Sequence, residues 1–98
     1  MRFFLSFTPT ARANLKELKD EAHLEKHFKA VAKALNLLQG NPRHPGLQTH
    51  EFSSLKGPRG EKVFEVYAEQ DTPAAYRIFF FYGRQRGEIV IVAITPHP

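Results

Sequence analysis

Ile89-Val90-Ile91-Val92-Ala93-Ile94-Thr95-Pro96-His97 is the stretch whose reading decides the fold. Its first six residues are apolar and mostly β-branched, so the run reads as a strand buried on both faces. His97 follows almost at once. A buried strand then delivers an imidazole to the rim of a sheet, where a group titrating near neutral pH is suited to proton transfer. The plainer expectation for a histidine so near the end of a sequence is a loose, solvated tail. The short lead from the strand is what argues against that.

Working back from this run, Ala75 to Tyr82 is a second strand, apolar on both sides except at Arg77, and Lys62 to Glu69 a third. The third puts Phe64, Val66 and Ala68 on one side, with Glu65 and Glu69 on the other. The connections Gln70 to Pro73 and Gly83 to Gly87 have the length and composition of hairpin turns. Further upstream, Arg43 to Glu61 reads as a long irregular connection, pinned by Leu47, Phe52 and Leu55. Leu47 to Leu55 has room for a short strand or turn, and Gly57-Pro58-Arg59-Gly60 reads as a turn. A connection of that length in so small a domain points to function.

The first forty residues supply the other layer. Phe3, Leu5 and Phe7 alternate in an opening strand from Arg2 to Phe7, and Thr8-Pro9 then starts a helix with a hydroxyl cap and proline at its first position. Ala11, Leu15, Leu18 and Ala22 follow at helical spacing. The stripe changes phase between Asp20 and His23 and resumes with Leu24, Phe28, Val31, Ala32, Leu35 and Leu38, which makes two helices in a hairpin. Gly40 with Asn41-Pro42 ends the second. The expected fold is α+β: a single domain over residues 1–98, with an N-terminal strand and an α-helical hairpin on a twisted antiparallel sheet of about four strands. The opening strand joins an edge of that sheet or lies beside the final strand.

Composition narrows the class. At 98 residues there is one modest core. The absence of cysteine removes disulfide and thiolate chemistry and suits a reducing cytosol. The short stretch Phe3 to Phe7 is no signal peptide, and no apolar run reaches the length of a membrane span, so a soluble, cytoplasmic protein is expected. A net charge of +4 and a pI near 9.6 favour polyanions or acidic proteins as partners. The positive charge gathers at Arg43, His50, Lys56, Arg59 and Lys62, with Arg84 and Arg86 downstream, and this set is the candidate phosphate-facing surface.

Several residues carry competing readings. Arg77 is either half of a structural ion pair, with Glu65 or Glu88, or a phosphate clamp on an open face of the sheet. Glu51 is a carboxylate among cations, available as a proton acceptor, or simply a surface residue. His23 and His27 lie four residues apart on a helix, yet no third ligand accompanies them, and exposed surface is the better reading. No glycine-rich phosphate loop is present. Tyr76 and Tyr82 are equally suited to stacking on bases and to packing in the sheet.

Taken in order, these features resemble the RelE/ParE superfamily of bacterial toxins. The resemblance spans nearly the whole chain: the opening strand and helical hairpin, Asn41-Pro42-Arg43, Leu47, Leu55-Lys56-Gly57, Phe64-Glu65-Val66-Tyr67, Tyr76-Arg77-Ile78 and the final apolar strand ending at His97. It implies a toxin of a type II toxin–antitoxin system, with a cognate antitoxin as partner. The C-terminal pattern is most similar to the YoeB-type mRNA interferases, which implies a metal-independent, cofactor-free endoribonuclease acting on mRNA at the ribosome. By motif, the catalytic roles fall on Glu51 as base, Arg77 as clamp for the phosphorane charge and His97 as acid. The basic set Arg43, His50, Lys56, Arg59, Lys62, Arg84 and Arg86 would hold RNA.

Two departures stand against the pattern. Pro98 follows the histidine where the nuclease branch often has tyrosine, and Glu65 and Glu69 occupy a strand that the RelE branch lines with cations. Slower, differently specific or absent cleavage is therefore among the expectations. The competing classes are a non-enzymatic gyrase inhibitor of the ParE kind and a non-toxic member acting as a binding module.

Overall fold

The computed structural model describes residues 2–97; Pro98, where the resemblance leads one to expect a tyrosine, lies outside them. Strand β1 (Phe4–Phe7) leads into helix α1 (Pro9–Asp20), a 3₁₀ turn (Ala22–Leu24) and helix α2 (Glu25–Gly40). A second 3₁₀ turn (Pro45–Leu47) precedes strands β2 (His50–Lys56), β3 (Lys62–Tyr67), β4 (Tyr76–Tyr82) and β5 (Glu88–Pro96). The five strands form one sheet in the order β1-β5-β4-β3-β2.

Two expectations are corrected here. The sheet has five strands rather than four, because the segment read as an irregular connection contains β2, which pairs antiparallel with β3. The period-2 signal is weak there because β2 is an edge strand with mostly exposed side chains, so little burial is written into its sequence. The sheet is also mixed: β1 lies parallel to β5, at an edge and beside the final strand. The helical hairpin between β1 and the meander supplies the crossover that a parallel pair needs.

Thr8 starts α1 as expected. Its hydroxyl accepts a hydrogen bond from the Ala11 amide at 3.1 Å, and Pro9 occupies the first turn, where a missing N–H costs nothing. Leu18, Val31, Ala34, Leu35 and Leu38 turn inward from the helices onto Val66, Ile78, Phe80, Ile89, Ile91 and Ile94. This is the main core, and it covers one face of the sheet. On the other face Phe52, Val63, Phe79, Phe81, Val90, Val92 and Ala93 form a second apolar cluster with no helix over it.

A bulge in β5 sets what the end of that strand does. Phe79 pairs with Ala93 and Phe80 with Ile91, so Val92 is the extra residue. The Val92 carbonyl accepts the Thr8 hydroxyl at 2.7 Å, and the Ile94 amide donates to Asn14 Oδ1 at 3.0 Å. Ile89, Ile91 and Ile94 can then all face the helices, although strict alternation would turn Ile94 away. The same one-residue slip moves Thr95 opposite Arg77, onto the face away from the helices.

Candidate functional site

The start of β4 organises the site through consecutive residues. The Ala75 carbonyl accepts the His97 amide at 2.8 Å, continuing the β4–β5 ladder past Pro96. His97 is thereby fastened to the sheet edge instead of trailing from it. The Tyr76 amide donates to Glu69 Oε1 at 3.0 Å. Arg77 follows, with Tyr67 opposite on β3 and Thr95 opposite on β5.

These residues line an open cavity of about 580 Å³, whose walls include Gln48, Tyr67, Glu69, Asp71, Arg77 and His97. A guanidinium, an imidazole, a phenol and two carboxyl-bearing side chains thus share one solvent-filled hollow. Tyr67 is the aromatic residue that lines it. Tyr76 is instead buried in the main core, and Tyr82 lies at the far end of β4.

Arg77 has a second partner on its protein side. Its Nη1 forms an ion pair with Glu65 Oε2, and its guanidinium carbon lies 5.5 Å from the centre of the Phe79 ring. Glu65 is 2 % exposed, the one charged residue in the core among the described residues. It also meets His50, whose Nε2 is 2.7 Å from its Oε1 and whose Nδ1 is 2.9 Å from the Gln48 carbonyl oxygen. A carboxylate this deep needs such partners, because desolvating it alone costs on the order of several kcal/mol. The ion-pair reading of Arg77 therefore holds, with Glu65 rather than Glu88. Glu88 serves instead to accept from the Ser6 hydroxyl at 2.8 Å. Arg77 still lines the cavity, and its buried Nε has no hydrogen-bond partner among the described residues.

Glu51 is not brought to this cavity. It pairs with Phe64 on β3, one position out of phase with the His50–Glu65 pair, so it belongs to the face opposite Arg77. Its carboxylate lies 3.9 Å from Lys56 and 4.0 Å from Lys62. The expectation of Glu51 meeting Arg77 and His97 fails on alternation alone: the residues directly before and after an acid in a strand point the other way.

The basic residues divide similarly. Lys56, Arg59 and Lys62 surround the β2–β3 turn, and Arg84 and Arg86 occupy the β4–β5 turn. Both turns lie at the end of β4 remote from Arg77, roughly 20 Å away at about 3.3 Å per residue. Within that end, the Arg59 amide donates to Glu61 Oε1 at 2.7 Å. This bond, with the Arg59 and Arg84 charges, holds the Glu61 carboxyl below its ordinary range. Arg43 is exposed after α2, and His50 is taken up by Glu65.

Glu69, marked in the sequence only as an acid on the third strand, ties that strand's end to β4 and α2. Its Oε1 also lies 2.7 Å from Nδ1 of His27 on α2, whose ring packs 4.9 Å from that of Tyr76. His27 is consequently partly buried and engaged, while His23 stays exposed near Glu21. Among the described residues no group of three or more His, Cys, Asp or Glu side chains is placed to hold a metal ion. None of their helices is long and apolar enough to cross a membrane.

A helical hairpin on one face of a five-stranded mixed sheet is the fold seen in RelE and YoeB/ParE toxin structures. Over 98% of this chain and 96% of the other it superposes on the RelE–RelB complex structure from the archaeon Pyrococcus horikoshii OT3, with a TM-score of 0.63 and 14% identity. A YoeB/ParE toxin from Agrobacterium tumefaciens matches over 100% of both chains, with a TM-score of 0.70 and 10% identity. No protein-family model matches the sequence, and no curated protein matches it.

Proposed function

We propose that this protein is the toxin of a type II toxin–antitoxin pair, and that it acts as a ribosome-dependent, metal-independent endoribonuclease on mRNA. The observation that carries this reading is the pairing of Arg77 and His97 on one open cavity, with Tyr67 beside them. RNA holds its own nucleophile. The 2′-hydroxyl attacks the adjacent phosphorus, the bond from phosphorus to the 5′-oxygen breaks, and a 2′,3′-cyclic phosphate and a 5′-hydroxyl result. Arg77 supplies positive charge where the phosphorane becomes more negative, and His97 in its protonated form gives a proton to the departing 5′-oxygen.

Tyr67 presents an aromatic face to a splayed base, the usual way protein reads unstacked RNA. The basic turns with Lys56, Arg59, Lys62, Arg84 and Arg86 lie too far away to touch the scissile phosphate. They suit ribosomal RNA backbone, or an acidic, partly disordered antitoxin that folds over them. The ribosome then orients a flexible strand that a few side chains cannot, and the protein works in the cytoplasm, where translation occurs.

The test is single-turnover cleavage of labelled mRNA on ribosomes by parent protein and His97→Gln. The variant is expected to bind ribosomes normally and cut about 10²–10⁴-fold more slowly, the range of acid–base assistance. Equal rates would refute the role of His97.

The Arg77–Glu65 pair favours a second reading, because a guanidinium already neutralised by a buried carboxylate is a weaker phosphate clamp. In that reading the scaffold is a non-enzymatic inhibitor, of gyrase for instance, or a harmless binding module. Expression in a bacterial host separates them. Translation arrest with trimmed mRNA supports the nuclease, filamentation with DNA damage the gyrase inhibitor, and unimpaired growth the binding module.

A further inference from the structure

Cleavage through the 2′-hydroxyl needs a proton acceptor, and Glu51 is on the wrong face to be one. We infer that Glu69 is the general base of this site, an assignment that rests on the nuclease reading above. Glu69 lines the same cavity as Arg77 and His97. It is held there by bonds from two elements: the Tyr76 amide at the start of β4 and His27 Nδ1 on α2. Both fall on Oε1, so the carboxylate is gripped from the helix side at one oxygen, and neither bond uses Oε2. Since a carboxylate accepts, His27 carries its proton on Nδ1.

The start of β4 gathers the groups that the step needs. His97 hangs from the Ala75 carbonyl, Glu69 from the Tyr76 amide, and Arg77 projects from the next residue. Acid, base and cation are therefore positioned from three consecutive residues, 75 to 77, as efficient proton transfer demands. Glu69 takes the 2′-hydroxyl proton as the new bond to phosphorus forms, and His97 returns a proton to the 5′-oxygen as the old bond breaks. No other reactant is needed. The ionisable groups around Glu69 are His27 from α2, Tyr76 on β4 with Glu17 of α1 near its phenol, Asp71 in the β3–β4 connection, and Tyr67, Arg77 and His97 along the cavity wall. Glu65 is excluded as the base because it is buried between Arg77 and His50, on the far side of the guanidinium from solvent.

The test uses ribosome-bound, labelled mRNA with either an ordinary 5′-oxygen or a 5′-bridging sulfur at the cleaved phosphate. A sulfur leaving group departs without a proton. Glu69→Gln keeps an oxygen to accept from Tyr76 and His27, and is expected to cut the ordinary substrate about 10²–10⁴-fold more slowly and to lose the acidic limb of the pH–rate profile. The sulfur substrate is expected to rescue His97→Gln and not Glu69→Gln. Where Glu69→Gln does not fold, Glu69→Asp takes its place, with slowed cleavage and the acidic limb retained. Parent rates in the Glu69 variant overturn the assignment, as does rescue of both variants by sulfur or a loss confined to Glu51→Gln. Absence of cleavage by the parent protein overturns the nuclease reading instead.

Discussion

Replacing Arg77 by methionine should remove a large share of the fold's stability before it tells anything about catalysis. Glu65 is 2 % exposed, and Arg77, with a side chain 14 % exposed, is its better-shielded partner; the other, His50, has a side chain 45 % exposed. Arg77→Met leaves that carboxylate buried with only a half-solvated imidazole, and breaking a buried pair in this way costs about 3–5 kcal/mol. Against a total of about 5–15 kcal/mol for a domain of this size, that is a large share. With a urea slope of about 2 kcal/mol per molar, the midpoint should fall by roughly 2 M.

The reverse deletion, Glu65→Leu, should cost less, about 1–3 kcal/mol, because the guanidinium borders the open cavity and can reach water. The double variant Arg77→Met/Glu65→Leu removes both charges and fills the space with apolar atoms. Its stability should return close to that of the parent, since such replacements are often neutral or better. Equilibrium urea unfolding of the four proteins closes the cycle. A loss under about 1 kcal/mol for Arg77→Met, or additivity in the double variant, would show that the pair is not the buried interaction described here. The double variant then asks the functional question cleanly. Folded but unable to cut, it would make Arg77 part of the chemistry; folded and fully active, it would make Arg77 a structural residue.

Two smaller perturbations probe the supports of the site. Burial, with the Glu17 and Glu69 charges nearby, pushes the Tyr76 phenol above its ordinary value of 10.0. Folding therefore disfavours the phenolate: this contribution is present below about pH 10 and is lost as pH rises through the folded-state value. Thermal melts between about pH 9 and 11 should show a fall in the parent that is flatter in Tyr76→Phe, and equal slopes would refute the assignment. Thr8→Ala removes the α1 cap and the donor to the bulged Val92 carbonyl together, at roughly 2–3 kcal/mol. Thr8→Ser should recover most of that in urea titrations, and failure to recover would point to the lost methyl instead.

Much of the architecture could be read along the chain because its signals are local. Thr8-Pro9, the phase change after Asp20, and Gly40 with Asn41-Pro42 mark helix ends through cap chemistry and apolar spacing. Arg2 to Phe7 and Lys62 to Glu69 show strand alternation, and Ala75 to Tyr82 the continuous apolar run of a strand buried on both faces. β2 was legible only as room for a short strand or turn within Leu47 to Leu55, because its side chains are mostly solvated on both faces, which leaves little alternation to detect. Glu69 escaped because its partners, His27 and the Tyr76 amide, are distant or belong to the backbone, and backbone partners leave no trace in residue type.

The sequence by itself determined that there would be a helical hairpin, a sheet with Arg77 on a central apolar strand, and a histidine held close to the last strand's end. Only the tertiary structure decided which side chains meet. A single extra residue at Val92 carries the end of β5 onto the Arg77 face, while alternation in β2 turns Glu51 away and leaves Glu69 to face the cavity. The physical reason is the two-residue repeat of a strand: composition and hydropathy survive a shift of one position, and the face on which a functional group stands does not.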